Sequence, residues 1–303
     1  MMNIAITGGT GFVGSALTGY LTTLGHHVFI LTRNSRNKQN TESITFVEWL
    51  NENACPEEHL PSLDAIINLA GATLNRRWTR PYKEKILHSR LQATKETIRL
   101  TQSLPQVPKV LINASAIGYY GTSTEHTFHE DSPPIDASFL HFVCREWEKE
   151  ASEAVKLGIR TIYARFGLIL DNKSGAFPKL LLPYQMFAGG PLGHGEQWYS
   201  WIHLRDVVES IYFLLHHEKC EGPVNITSPY PERMENFGKK LSKETNRPHW
   251  LRVPSKIVEK GLGDMSTLIL EGQHVSPNRL ISHGYTFTYP TVETAFKQLL
   301  HGR

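Results

Sequence analysis

Near its start the chain reads Thr7-Gly8-Gly9-Thr10-Gly11-Phe12-Val13-Gly14, with glycines recurring at Gly8, Gly11 and Gly14. The run joins a short apolar stretch, Asn3 to Thr7, to a segment with helical spacing, Phe12 to Leu24. In that segment Val13, Ala16, Leu17, Tyr20, Leu21 and Leu24 share one stripe. A strand, a glycine turn and a helix in this order leave few folds open. The first glycine permits a tight turn, the second lets backbone approach a bound group, and the third lets the helix pack close to the sheet. The N–H groups of Gly8, Thr10, Gly11, Phe12, Val13 and Gly14, with the positive end of the helix, then form a seat for phosphates. In this context we read the turn as a dinucleotide site rather than a plain turn with spare glycines.

The following segments keep the alternation going. Val28 to Leu31 reads as a second strand and Ile44 to Val47 as a third. Ala65 to Ala70 reads as a buried strand closed by Gly71, and Pro81 to Ser103 as a long helix. Val110 to Ala114 is the next strand, Ser138 to Leu157 the next helix, and Arg160 to Phe166 another strand. Strands alternating with helices predict an α/β fold, a Rossmann-type doubly wound parallel sheet. After Gly167 glycine and proline become frequent, as in Ala188-Gly189-Gly190-Pro191-Leu192-Gly193-His194-Gly195. We expect residues 171–203 to be substrate-side loops. Val207 to His217 then reads as a helix and Pro223 to Ile226 as a strand. The expected division is a nucleotide-binding domain over 1–228 and a smaller, mixed, helix-rich region over 229–303.

Strand two ends in Leu31-Thr32-Arg33-Asn34-Ser35-Arg36. A site that prefers NAD places an Asp or Glu there for the ribose 2′-hydroxyl. Here the strand end has no acid, and Arg33 can pair with a 2′-phosphate while Thr32 or Ser35 donates a hydroxyl. The expected cofactor is therefore NADP(H).

The chain resembles the extended short-chain dehydrogenase/reductase superfamily and, within it, the sugar-nucleotide-epimerase-like branch of the NAD(P)-dependent epimerase family. Besides the glycine turn, the residues that carry the resemblance are Asn68-Leu69-Ala70-Gly71, Arg76-Arg77-Trp78, Ser89-Arg90 and Ser115-Ala116-Ile117-Gly118-Tyr119-Tyr120-Gly121. Further along they are Val143-Cys144-Arg145 with Trp147-Glu148, Trp201-Ile202-His203 with Asp206, and Leu270-Glu271-Gly272-Gln273. The resemblance implies that Leu69 and Ala70 pass beside the adenosine and pyrophosphate. It implies that Lys85 and Arg90 reach toward the cofactor, and that Gly167, Leu168 and Ile169 border the nicotinamide. It also implies a short C-terminal domain of unknown function over about 249–299.

Short-chain dehydrogenases usually pair a serine with a Tyr-x-x-x-Lys couple, in which the lysine lowers the tyrosine pKa and the tyrosine serves as acid or base. None of the eleven tyrosines here has a lysine four residues on. The resemblance puts Leu140 and Cys144 where that couple would stand. Ser115, Tyr119 and Tyr120, expected in a loop at the C-terminal end of the sheet, are the catalytic candidates that remain. His203 reads as an anchor at a helix start. His126-Thr127-Phe128-His129-Glu130 lacks the order of a zinc motif and reads as loop.

The function that follows is an NADP(H)-binding, oxidoreductase- or epimerase-like protein, with hydride transfer to or from a carbonyl or sugar-like small molecule. Gly189 to Trp198 and the C-terminal segment form the expected substrate side. The alternative is an NADP(H)-binding regulator or redox sensor without turnover. The formal charge of +3 is too small to argue for nucleic acid, and no apolar run reaches the roughly 20 residues a membrane helix needs. The three cysteines, Cys55, Cys144 and Cys220, form no C-x-x-C pair, so neither a disulfide framework nor a cysteine-rich metal site is expected. With no signal-like segment read at the start, the expected compartment is the cytoplasm. Oligomeric state stays open, a homo-oligomer included.

Overall fold

The computed structural model describes residues 1–302. Its centre is a seven-stranded sheet built from β1 (Asn3–Thr7), β2 (His27–Thr32), β3 (Ile44–Glu48), β4 (Ala65–Asn68), β5 (Val110–Ala116), β6 (Arg160–Phe166) and β7 (Gly222–Ile226). The order across the sheet is β7-β6-β5-β4-β1-β2-β3, and all neighbours run parallel. The order reverses between β1 and β4, which places a crevice beyond the C-terminal ends of those strands. The fold is thus the Rossmann-type α/β sheet that the strand–helix alternation predicts.

Period-two alternation sorts the strand side chains onto two faces. Ile4, Ile6, Val28 and Ile30 pack on one face with Leu17 and Leu21 of α1 (Phe12–Thr23) and with Ile211 and Leu214 of α5 (Leu204–His216). Ala5, Phe29, Leu31 and Ile66 face the other way, toward Ile98 and Leu100 of α2 (Arg80–Ser103). Each large aliphatic side chain so buried contributes roughly 1.5–3 kcal/mol. The helix α3 (Phe139–Ala151) lies beside α2 and β5.

The element limits depart from expectation where side chains intervene. β4 stops at Asn68 because the Leu69 and Ala70 amides turn aside to donate to Thr7 Oγ1 at 3.1 and 3.2 Å. The helix expected to run to Leu157 is α-helical only to Ala151. It tightens to a 3-10 turn over Ser152–Leu157 and ends at Gly158, whose φ is +76°. Tyr119 and Tyr120 lie in a 3-10 turn, Ile117–Tyr120, rather than in loop. Thr127–Phe128, read as loop, is a short strand paired in parallel with His274–Val275.

A further apolar cluster forms outside the two faces of the sheet. Phe177 and Tyr184 of α4 (Phe177–Gln185), Trp201, Phe237 of α6 (Met234–Thr245) and Phe296 of the C-terminal helix Val292–His301 form its centre. Two buried carboxylates fasten the C-terminal segment to the sheet domain. Asp206 accepts the Thr288 and Tyr289 amides at 2.7 and 2.9 Å and the Tyr285 hydroxyl at 3.1 Å. Glu130 Oε1 accepts the Asn225 and Arg279 amides at 3.2 and 3.1 Å. Burial pushes both carboxyl pKa values up, and the amide donors work against that push.

Candidate active site

The turn between β1 and α1 requires its glycines. Gly8 has a φ of +67°, and a Cβ there would stand 2.8 Å from the Leu69 carbonyl oxygen. A Cβ on Gly14 would stand 2.2 Å from the Gly8 carbonyl oxygen, so only glycine lets α1 begin this close to the turn. Gly11 caps α1 with no side-chain hydrogen bond, and the first helical turn carries no acid. The early amides of α1 are therefore left for an external anion, as a pyrophosphate site needs. Thr10 is exposed, and Phe12 and Val13 are half-buried. The residues fit a dinucleotide.

The flanks of this cradle are also defined. Leu69 and Ala70, just past the end of β4, lie against Gly8 and are held by Thr7 Oγ1. That hydroxyl donates to Asn68 Oδ1 at 2.6 Å, and Asn68 Nδ2 donates to Asn113 Oδ1 at 2.6 Å and Thr94 Oγ1 at 3.0 Å. Thr7, Asn68, Thr94 and Asn113 are fully buried, so the network fixes the ends of β1, β4 and β5 relative to one another. Arg90 lies against Gly71, donates to the Ala72 and Ile86 carbonyls at 3.1 and 3.0 Å, and stacks over Trp147. Its role here is to hold the segment after β4. Lys85, the other basic residue expected near the cofactor, is exposed on α2. On the far flank, Ile169 pairs with Ile202 in a short parallel ladder, Leu168–Leu170 with Trp201–His203. The loop after it returns to the turn, where a Cβ on Gly175 would meet the Phe12 ring at 3.1 Å.

At the end of β2, Thr32 is half-buried and Arg33 and Arg36 are exposed. Thr32 Oγ1 donates to the Asn34 carbonyl at 3.2 Å. Glu48, at the end of the adjacent β3, stands opposite Thr32 in register and was not singled out from the sequence. Its Oε1 accepts the Ser35 hydroxyl at 2.7 Å and the Ser35 amide at 3.0 Å. The amide first, then the hydroxyl, holds the Glu48 carboxyl below the usual range. An open cleft of about 720 Å³ lies on this β3 side, lined in part by Ser35, Glu48 and Asn51.

The end of β5 has a different character. Ser115 is 2% exposed, and its hydroxyl donates to Glu148 Oε1 at 2.6 Å. Glu148 on α3 also receives Arg165 of β6 through Nε and Nη2, both at 2.8 Å. Arg165 is 3% exposed and continues through Nη1 to the Tyr120 hydroxyl at 2.9 Å. Tyr120 is fully buried and donates to Asn225 Oδ1 at 2.6 Å; burial raises its pKa to about 12. A phenol so enclosed has no face for a substrate. Tyr119 is half-buried, with its ring 3.6 Å from the Arg165 guanidinium carbon. Its carbonyl accepts His141 Nδ1–H at 2.6 Å.

Leu140 and Cys144 pack against Gly118 one helical turn apart, and burial pushes the Cys144 thiol up to about 12. Glu148 follows one turn later on the same face. At this end of the site, sequence reasoning passed over Arg165 and gave Glu148 no role. One signal was available: Arg165 stands near the C-terminal end of a strand expected to be buried, Arg160 to Phe166, and a buried guanidinium calls for a partner. His203 is a helix anchor, as expected. Its Nδ1 accepts the Arg205 amide at 3.1 Å, and Nε2–H donates to Gln298 at 2.9 Å. Among the described residues no group of three or more His, Cys, Asp and Glu side chains is placed to hold a metal ion.

With this geometry in place, residues 4–227 match the model of the NAD dependent epimerase/dehydratase family. The chain belongs to that family. Residues 253–299 match a second model, a domain of unknown function, DUF1731. Among curated relatives, the epimerase family protein YfhF of Bacillus subtilis is 49% identical over 100% of this chain and 99% of its own length. Among solved structures, human epimerase family protein SDR39U1 (isoform 2), solved with NADPH, has a TM-score of 0.85 at 29% identity. The match covers 98% of this chain and 99% of that one. MoeE5, solved with UDP-glucose and NAD, has a TM-score of 0.78 at 18% identity, covering 98% of this chain and 97% of its own, and shares the fold. No helix among the described residues is long and apolar enough to cross a membrane.

Proposed function

We propose that the protein binds NADP(H) at the glycine turn and carries out hydride transfer to or from a carbonyl or sugar-like small molecule. The observation that carries the cofactor half is exposed Arg33 at the end of β2, with Arg36 beside it and no acid on that strand. The guanidinium fork suits a 2′-phosphate. The uncapped amides of α1 would hold the pyrophosphate, Leu69 and Ala70 would flank the adenosine, and Ile169 would border the nicotinamide. When bound, the cofactor supplies or accepts the hydride. The relative solved with NADPH supports this choice of cofactor.

The substrate would lie at the C-terminal end of β5, under the Gly189 to Trp198 loop and the C-terminal segment. Tyr119 is the candidate hydroxyl for a substrate oxygen, because it is half-buried while Tyr120 is fully buried. Ser115 would order the floor of the site through Glu148. A second reading, an NADP(H)-binding regulator or redox sensor without turnover, is favoured by this same engagement of Ser115 and by Leu140 and Cys144 standing where a tyrosine and a lysine are usual.

Titration with NADPH and NADH tests the cofactor. NADPH should bind more tightly, and Arg33→Ala should weaken NADPH about tenfold with little change for NADH, the loss of one charged contact to phosphate. Equal affinities for the two cofactors, or no loss in Arg33→Ala, would remove the NADP(H) reading. A panel of aldehydes, ketones and sugars followed by NADPH absorbance separates enzyme from sensor. Turnover that is lost in Tyr119→Phe supports the first, and silence across the panel supports the second.

A further inference from the structure

The loop after β2 carries the arginines on which NADP(H) selection rests, and it is fastened from outside its own strand. Glu48 Oε1 takes both donors of Ser35, the hydroxyl at 2.7 Å and the amide at 3.0 Å. Asn51 reaches the same loop, its Nδ2 donating to the Arg33 carbonyl at 2.7 Å and lying 3.4 Å from Glu48 Oε2. Within the loop, Asn34 Oδ1 accepts the Arg36 amide at 3.0 Å. The chain between Glu48 and Asn51 is itself shaped for this contact. Trp49 is 2% exposed and its amide donates to the Thr32 carbonyl at 3.0 Å. Leu50 then takes a left-handed conformation, with φ of +58°, which non-glycine residues rarely adopt. That turn brings Asn51 back over Arg33.

An acid near the end of β2 ordinarily marks a site for the ribose 2′-hydroxyl, and it would repel a 2′-phosphate. Glu48 sits one strand over, and its oxygens are directed at Ser35 and Asn51 rather than outward. The backbone of Arg33 and Ser35 is held while both arginine side chains stay exposed. A loop fixed before binding loses less freedom when a ligand arrives. We propose that Glu48 is a positioning residue for cofactor selection: by clamping Ser35 it pre-orders the Arg33–Arg36 loop for a 2′-phosphate. The proposal rests on the NADP(H) reading above.

The test is titration of wild type, Glu48→Ala and Glu48→Gln with NADPH and NADH, each protein first checked for an unchanged melting temperature. Glu48→Ala should raise the NADPH Kd about three- to tenfold, the range for losing hydrogen bonds that order a binding loop, and should move the NADH Kd less than about twofold. Glu48→Gln keeps an oxygen acceptor for Ser35 and should stay close to wild type for both cofactors. Two results overturn the proposal. If Ala and Gln both tighten NADPH, Glu48 acts as a repelling charge. If Glu48→Ala leaves the NADPH to NADH ratio unchanged, the clamp has no part in selection. Failure of the underlying reading shows separately, as a wild type with no preference for NADPH.

Discussion

At the glycine turn the first amides of α1 have neither a capping side chain nor an acid beside them. At the end of β5, two strands from β1, Ser115, Glu148, Arg165 and Tyr120 satisfy one another and leave almost no surface. Backbone and side-chain polar groups seek partners, and where the protein supplies none, a ligand is the natural partner. Where the protein supplies them all, the groups hold structure. The contrast separates two roles that usually share one cleft: the end proposed for the cofactor leaves backbone donors free, and the floor of the end proposed for the substrate is internally closed.

The largest expected effect breaks the open side of this contrast. Gly14→Val would place a Cβ on the Gly8 carbonyl oxygen, 2.2 Å away, and would push α1 off the turn. NADPH affinity should fall by at least about a hundredfold, since neither the turn nor the helix end could keep its place. Calorimetric titration beside a circular-dichroism melt checks this. Unaltered affinity in a folded variant would mean that phosphates bind elsewhere.

The closed side should respond in stability instead. Glu148→Ala leaves the Arg165 guanidinium buried and unpaired, which should cost about 3–5 kcal/mol, read as a lower denaturant midpoint. The folded fraction should still bind NADPH within about twofold, because no phosphate contact passes through Glu148. A variant of wild-type stability would show that the pair is not what closes the floor. A large loss of cofactor affinity would show that the two ends are coupled more tightly than their separate hydrogen bonds indicate.

The same contrast explains what the sequence could reveal. The turn, α1 and the sheet were legible because local patterns encode them. Glycine spacing sets the turn, and the alternation of Ile4, Ala5 and Ile6 sets opposite faces. The closed floor depends on residues far apart in the chain. Ser115 meets Glu148 and Arg165 only after β5, α3 and β6 have come together, and no local period announces that. Glu48 escaped for a similar reason: reading the end of β2 by itself misses an acid that β3 brings into register opposite Thr32. The Thr127–Phe128 strand was missed because its partner, His274–Val275, belongs to the C-terminal segment.

The smallest expected effect concerns pH and lies outside both regions, at the start of α5. His203 starts α5 with Nδ1 accepting the Arg205 amide, so the ring must be unprotonated at that nitrogen. Burial is the main cause that lowers its pKa below 6.5, against the opposing hydrogen bond to Gln298. A histidine with a depressed folded value contributes its stability in full above the unfolded value. That contribution is lost as pH falls through the folded one. His26, His249 and His274 are lowered too, each chiefly by burial, so they add to the same trend. These histidines pull the denaturant midpoint down between about pH 7.5 and about pH 5.5, while the raised Asp206 and Glu130 carboxyls pull the other way, so the His203 share is read as a difference between variants. His203→Asn keeps a side-chain acceptor at the helix start and removes the titrating ring, so its midpoint should vary less over that interval. A pH dependence identical to wild type would mean that His203 does not carry the acid sensitivity. NADPH affinity measured at both pH values should change less in either protein than stability does, because the ring binds α5 and not the glycine turn.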